Sequence, residues 1–178
     1  MKYIAFFRGI NVSGQRKIKM SELKTMFQKY GFKNIQTYIQ SGNVLFESTL
    51  KKSEIKSKLE NAVKKEYGFY VPIEIKTDSE IKNIYNSSPF KEIENEENGT
   101  KILVTFLSKK PLENNLLNLM DYVKEPEKLT VLENTIYLYC PNGYGKSKLS
   151  NNFIESKLKL EATTRNWKTI TKLYLMLV

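Results

Sequence analysis

Histidine is absent from the 178 residues, and that absence removes more chemistry than any other gap in the composition. It takes away the usual general base near neutral pH, the partner that activates serine and cysteine nucleophiles, and the commonest metal ligand. Any reaction would have to run on Lys, Arg, Tyr, Ser, Asn, Gln or carboxylates. One cysteine, Cys140, excludes an internal disulfide and fits a reducing compartment. Without histidine it also leaves no conventional zinc site, so no metal is expected. Cys140 ends a strand-like run before Pro141 with nothing to activate it, and reads as a buried thiol. No apolar run reaches the ~18 residues of a membrane span. Residues 1–9 meet a charge too early for a signal peptide. These absences describe a cytoplasmic protein with no membrane partner and no cofactor.

Arginine is nearly absent too. Of 29 basic residues only Arg8, Arg16 and Arg165 are arginines, in a chain of net charge +10. Lysine supplies charge everywhere else, largely over outer helix faces, for example Lys51, Lys52, Lys56, Lys58, Lys64 and Lys65. A generally basic solvated surface and a functional basic patch both fit that scatter. The planar guanidinium fork suits phosphate or carboxylate. The loops that carry arginine are therefore the first places to look for an anion site.

Hydrophobic spacing divides the chain into two similar halves. In the first, 3–7 is an apolar strand. Residues 21–30 form a helix on Leu23, Met26, Phe27 and Tyr30, with Ser21 as N-cap and Gly31 as stop. Runs 35–40 and 43–46 are strands joined at Ser41-Gly42, a hairpin signal. A helix over 53–67 ends at Gly68, 71–76 is an edge strand opened by Pro72, and 78–85 is a helix capped by Asp78. The second half repeats the order with a strand at 102–107, a helix at 112–123, a hairpin of 129–132 and 135–139 about Glu133-Asn134, a helix at 147–158, a weak strand at 161–164 and a helix at 167–177. Residues 88–100, with Glu92, Glu94, Glu96 and Glu97, form a polar linker. The expected fold is α+β: two tandem ferredoxin-like βαββαβ units, each with a trailing helix and an antiparallel sheet. The units cover 1–87 and 101–178.

That topology pairs four polar, glycine-bearing segments. Strand one should end beside the turn between strands two and three, setting Arg8-Gly9-Ile10-Asn11 next to Gln40-Ser41-Gly42-Asn43. In the second half, strands three and four should end together, setting 141–146 next to Thr164-Arg165-Asn166. If the halves packed with those edges facing, all four would line one cleft.

Arg8-Gly9-Ile10-Asn11-Val12, Thr37-Tyr38-Ile39-Gln40-Ser41-Gly42-Asn43-Val44 and Ala162-Thr163-Thr164-Arg165-Asn166-Trp167 resemble the hallmark motifs of the domain-of-unknown-function 1697 family. The resemblance runs from the first strand to the last helix, with three motifs in order. It implies a small cytoplasmic bacterial protein of α+β fold, and it implies no activity.

The motifs themselves are read against simpler roles. Gly9 and Gly14 have the interval of a P-loop, but Gln15-Arg16 stands where Lys-Ser/Thr is needed. The loop is either an anion cradle served by Arg8, Arg16 and Lys17 or a connection whose glycines only make turns. Gly143-Tyr144-Gly145-Lys146-Ser147 imitates the other half of a P-loop, yet Cys140 replaces its first glycine. A turn into a helix capped by Ser147 is the simpler account. Gln40 and Ser41 add hydrogen-bonding side chains to a hairpin. Asn166 or Thr164 reads as an N-cap, and Trp167 as core. Aromatics Tyr3, Phe6 and Phe7 suggest an RNA-binding sheet, but 42–47 lacks the matching stacking residues, so they too read as core.

The candidate ligand-binding residues are Arg8, Asn11, Arg16, Lys17, Gln40, Ser41, Asn43, Lys146, Ser147, Arg165 and Asn166. They favour a binding module for a phosphate- or carboxylate-bearing ligand, with a nucleotide or nucleic acid as partner. Two alternatives stay open: an enzyme acting on a phosphorylated metabolite without histidine or metal, and purely structural motifs at the interface of the halves.

Overall fold

Two four-stranded antiparallel sheets organise the chain in a computed structural model that describes residues 1–93 and 97–178. The first half runs β1 (Lys2–Phe7), α1 (Met20–Lys29), β2 (Lys33–Tyr38), β3 (Asn43–Glu47), α2 (Lys52–Tyr67), β4 (Ile73–Thr77) and α3 (Asp78–Asn86). The second repeats it with β5 (Ile102–Leu107), α4 (Glu113–Met120), β6 (Lys128–Leu132), β7 (Thr135–Tyr139), α5 (Asn151–Leu158), β8 (Ala162–Asn166) and α6 (Trp167–Leu177). Strand order is β2-β3-β1-β4 in one sheet and β6-β7-β5-β8 in the other. The fold is thus α+β, consistent with a tandem duplicated unit. By its contacts the chain divides into Met1–Ile81 with Leu177, and Lys82–Met176 with Val178. Of the expected linker, Glu94 and Glu96 lie outside the described residues, while 91–93 form a 3-10 turn. No described helix is long and apolar enough to cross a membrane.

Alternation along the central strand builds the first core. Tyr3, Ala5 and Phe7 of β1 face α1 and α2, meeting Val44 and Phe46 of β3, Ile73 and Ile75 of β4, Leu23 and Phe27 of α1, and Ile55 and Leu59 of α2. Phe27, Phe32 and Phe46 pack edge-on and tilted at 4.9–5.3 Å between centroids, an arrangement that suits the ring quadrupoles. Ile4 and Phe6 point to the opposite face and are also buried. The aromatics of β1 are therefore core, as their pattern suggests. In the second unit Leu103 and Leu107 of β5 join Ile136, Leu138, Ile154 and Leu158 on the helix side. On the other face Tyr137 donates its hydroxyl proton to the carbonyl of Ile84 in the last turn of α3. Tyr85 stacks on Trp167 and Tyr174.

The halves share devices that spacing alone does not reveal. Glu60 of α2 accepts the first N–H of β4, from Ile73, and Glu155 of α5 accepts the first N–H of β8, from Ala162. Three residues on, each edge strand buries a cation, Lys76 in β4 and Arg165 in β8. The next residue then caps the trailing helix: Thr77 accepts from the N–H of Glu80, and Asn166 from that of Thr169.

Caps account for most differences from the sequence expectations. Helix α1 begins before Ser21, after Lys19, with no side-chain cap. Asp78 lies inside α3; Thr77 and Glu80 form the capping box, Glu80 accepting in turn from the Thr77 N–H. Helix α5 starts at Asn151, capped by Ser150 rather than Ser147. Ser147 follows a 3-10 turn over Tyr144–Lys146 and accepts from the Leu149 N–H instead.

Candidate functional site

The β1 chain leaves its strand at Arg8 and folds a miniature hairpin before α1. The N–H of Gln15 donates to the carbonyl of Val12, and Val12 and Gln15 form an isolated bridge. Ser13 and Gly14 make the turn with φ of 50° and 74°. Two residues in left-handed conformation match the twist of a tight hairpin. Glycine here serves turn geometry and not a P-loop.

Asn11 holds this hairpin in place. At φ 56° it is in a conformation that asparagine tolerates better than other side chains. Its Oδ1 accepts from the Ile18 N–H at 2.9 Å, while its Nδ2 donates to the Ile18 carbonyl at 2.9 Å and the Gln40 carbonyl at 2.8 Å. The first pair closes the loop on itself. The last bond ties it to the second hairpin. Phe7 adds a backbone bond to the Gly42 carbonyl at 2.8 Å. Gly42, at φ +78°, leaves no room for a side chain: a Cβ there would lie 2.5 Å from Ile10 Cδ1 and 2.7 Å from Phe7 Cβ. The structure thus brings the Arg8–Asn11 and Gln40–Asn43 segments together.

Within this edge the candidates differ in availability. Arg16, Lys17 and Gln40 are exposed, and Arg8 and Ser41 are half-buried. A Cβ on Gly9 would lie 3.6 Å from Arg16 Nη1, so the Arg16 guanidinium folds back over the loop. Asn43 is fully buried, donating to the Tyr38 carbonyl and to Ser41 Oγ. It shapes the turn from inside.

The second pairing is also formed. Ile102 pairs with Tyr139 and Leu103 with Asn166, so β7 and β8 end at one edge. The side chains there are mostly engaged in the fold. Arg165 is 9% exposed and donates from Nη1 to the Thr164 carbonyl. Burial lowers its pKa to about 10, which leaves it charged at neutral pH. Asn166 caps α6, and Ser147 turns the chain toward α5. Thr105 and Thr164 share a hydroxyl hydrogen bond of 2.7 Å, and Thr164 donates to Asn151 Oδ1. Beside them the Tyr144 hydroxyl is buried with no hydrogen-bond partner among the described residues. Burial pushes its pKa up, against the weaker opposing pull of the nearby Thr164 hydroxyl and Asn151 backbone, neither of which meets Tyr144 in hydrogen-bond geometry. Cys140 is buried as well, its pKa raised to about 11 by desolvation. Lys146 alone of this group is exposed, on the wall of a surface groove.

Sequence reasoning missed Lys76, the positional counterpart of Arg165, together with Glu60 and Glu155. Aligning the two edge strands would have paired Lys76 with Arg165, each three residues after its strand begins, whereas Glu60 and Glu155 lie 13 and 7 residues before theirs and share only their role.

The family described as protein of unknown function (DUF1697) matches residues 1–137. Comparison with curated proteins gives no match. Among solved structures the chain is similar to the conserved bacterial protein SP0830 from Streptococcus pneumoniae, with a TM-score of 0.78 and 22% sequence identity. That likeness covers 99% of this chain and 98% of the other. At this identity it speaks for the fold.

Proposed function

This chain belongs to the DUF1697 family of proteins of unknown function, and on that footing we propose that it is a binding module for a phosphate- or carboxylate-bearing ligand, with a nucleic acid or nucleotide as the ligand class. The binding edge is that of the first half, with Arg8, Arg16, Lys17, Gln40 and Ser41 as its contacts. The observation that carries the reading is the Asn11 clamp, which fixes the cationic hairpin against the Gln40 turn. Neither segment, 8–20 or 36–46, contains an acidic residue. Positive groups and hydrogen-bond donors are therefore collected on segments that carry no carboxylate of their own. Exposed side chains on a pinned loop suit the outside of a polyanion, where phosphates are met one by one. For Asn43, Ser147, Arg165 and Asn166 the hydrogen bonds described above favour the structural reading.

The strand orders support reading each half as a ferredoxin-like unit with a trailing helix, about 1–87 and 101–178, joined by 88–100. A lone buried cysteine supports a cytoplasmic setting, and the likeness to a conserved bacterial protein supports a bacterial one.

Fluorescence anisotropy with a labelled single-stranded oligonucleotide tests the function. Binding should weaken with salt, log K falling against log salt by roughly 0.7 for each phosphate contacted. Arg16→Ala with Lys17→Ala should flatten that slope by roughly 1 to 2. Absence of binding at low salt, or an unchanged slope in the double variant, overturns the reading.

A further inference from the structure

A groove of about 390 Å³ lies within the second unit, between the loop that follows α4 and the loop that follows β7. That volume is at the lower end for small-molecule sites. Its walls differ in charge. One carries Lys124, Glu125 and Glu127, and the other Asn142, Lys146 and Lys148. Among the described residues none of these five charged side chains makes an ion pair within 4.0 Å. Opposite charges that share a recess without pairing leave both signs available to whatever enters it, with the exposed Glu125 the freer carboxylate because Glu127 also lies against the Cys140 thiol. Gly143, at φ 94°, turns the backbone of the lysine-bearing wall.

We propose that this groove binds a small zwitterion, its oxyanion on the Lys146–Lys148 wall beside the Asn142 amide and its ammonium on the Glu125–Glu127 wall. A ligand of one charge would gain from one wall and be opposed by the other. A molecule carrying both satisfies each wall at once. The oxyanion can be a carboxylate or a phosphate, since lysine accommodates either. The site shares no residue with the Asn11 edge and stands or falls without it.

The test follows backbone amide shifts of Asn142 and Gly143 by NMR during titration of the full chain. The probes are phosphoethanolamine, glycine, inorganic phosphate and ethylammonium. The expected result is saturable shifts with phosphoethanolamine or glycine, at a Kd at least about tenfold below that of phosphate or ethylammonium. Whichever of the two zwitterions binds more tightly names the oxyanion. Glu125→Gln with Glu127→Gln should erase the zwitterion preference while phosphate affinity holds or rises. Lys146→Gln with Lys148→Gln should remove binding of both. All four positions lie on surface loops, and an otherwise unchanged amide spectrum shows that the variants fold. No saturable shift with either zwitterion, or no zwitterion bound more tightly than phosphate and ethylammonium, overturns the proposal.

Discussion

Replacing Asn11 by alanine removes three hydrogen bonds, two to the backbone of Ile18 and one to the Gln40 carbonyl. Ile18 is 1% exposed, so water cannot fully replace the lost partners. At about 1 kcal/mol each, the bonds amount to about 3 kcal/mol. Alanine at φ 56° adds about 1 kcal/mol of backbone strain. Some relaxation of an exposed loop offsets part of this, so the expected loss is about 3 kcal/mol in urea unfolding. Asn11→Gly isolates the two contributions, because glycine loses the same bonds without the strain. It should be about 1 kcal/mol less damaging than alanine. In the anisotropy assay both variants should bind the oligonucleotide more weakly than Arg16 and Lys17 alone account for, since the loop that presents them is loosened. An alanine variant within about 0.5 kcal/mol of the parent, in the range of an ordinary surface change, would refute the clamp.

Gly42→Ala should destabilise by about 3 kcal/mol or prevent folding, through its overlap with Ile10 and Phe7. Gly31→Ala, with open space around it and φ +87°, should cost only about 1 kcal/mol by the same urea assay. Tyr144→Phe deletes a buried hydroxyl without a partner and should leave stability unchanged or raise it by about 1 kcal/mol in calorimetry. Cys140, with its pKa at about 11 against an ordinary 9.0, should react with iodoacetamide at pH 8 roughly 100-fold more slowly in the folded chain than in urea. The thiol is held neutral in the fold, so its contribution to stability is complete below pH 9 and is lost as pH rises from there through about 11. A rate in buffer equal to that in urea would sink the assignment.

The order of elements was legible because burial imposes periodicity. Strands β5 and β7 and helix α6 lie where the spacing puts them, and Glu133, at φ 53°, makes the two-residue turn expected between β6 and β7. Helix starts were less legible, since several hydroxyl or carboxylate side chains compete for each one. Ser147 has the right type, but Ser150 is the residue whose oxygen meets an orphan N–H. Thr77 wins over Asp78 because Glu80 reaches back to complete a reciprocal pair. The loop meetings followed from topology, whereas the groove did not. Its walls come from loops about twenty residues apart that carry no shared pattern, and only folding brings Glu125 and Lys148 to one recess. Asn11 shows how a motif residue can carry a structural task that its type and spacing do not announce. Its pattern suggests a ligand contact, and its side chain bonds the Ile18 backbone and the Gln40 carbonyl, holding the loop against the β2–β3 turn.

The buried cations of β4 and β8 bear on how the molecule behaves in company. Both strands lie at the edge of their sheets, where unpaired backbone groups invite another chain to add itself. Lys76, held 2.8 Å from Glu74, and Arg165 place charge on the inward side of those rims. A stranger's strand docking there would have to cover an ion that only the native surroundings accommodate. Such ions contribute little to stability, so removing them is expected to register in aggregation and not in a lower melting temperature. Lys76→Met paired with Glu74→Gln should therefore keep or raise the melting temperature while lowering the concentration at which thioflavin-positive aggregates form.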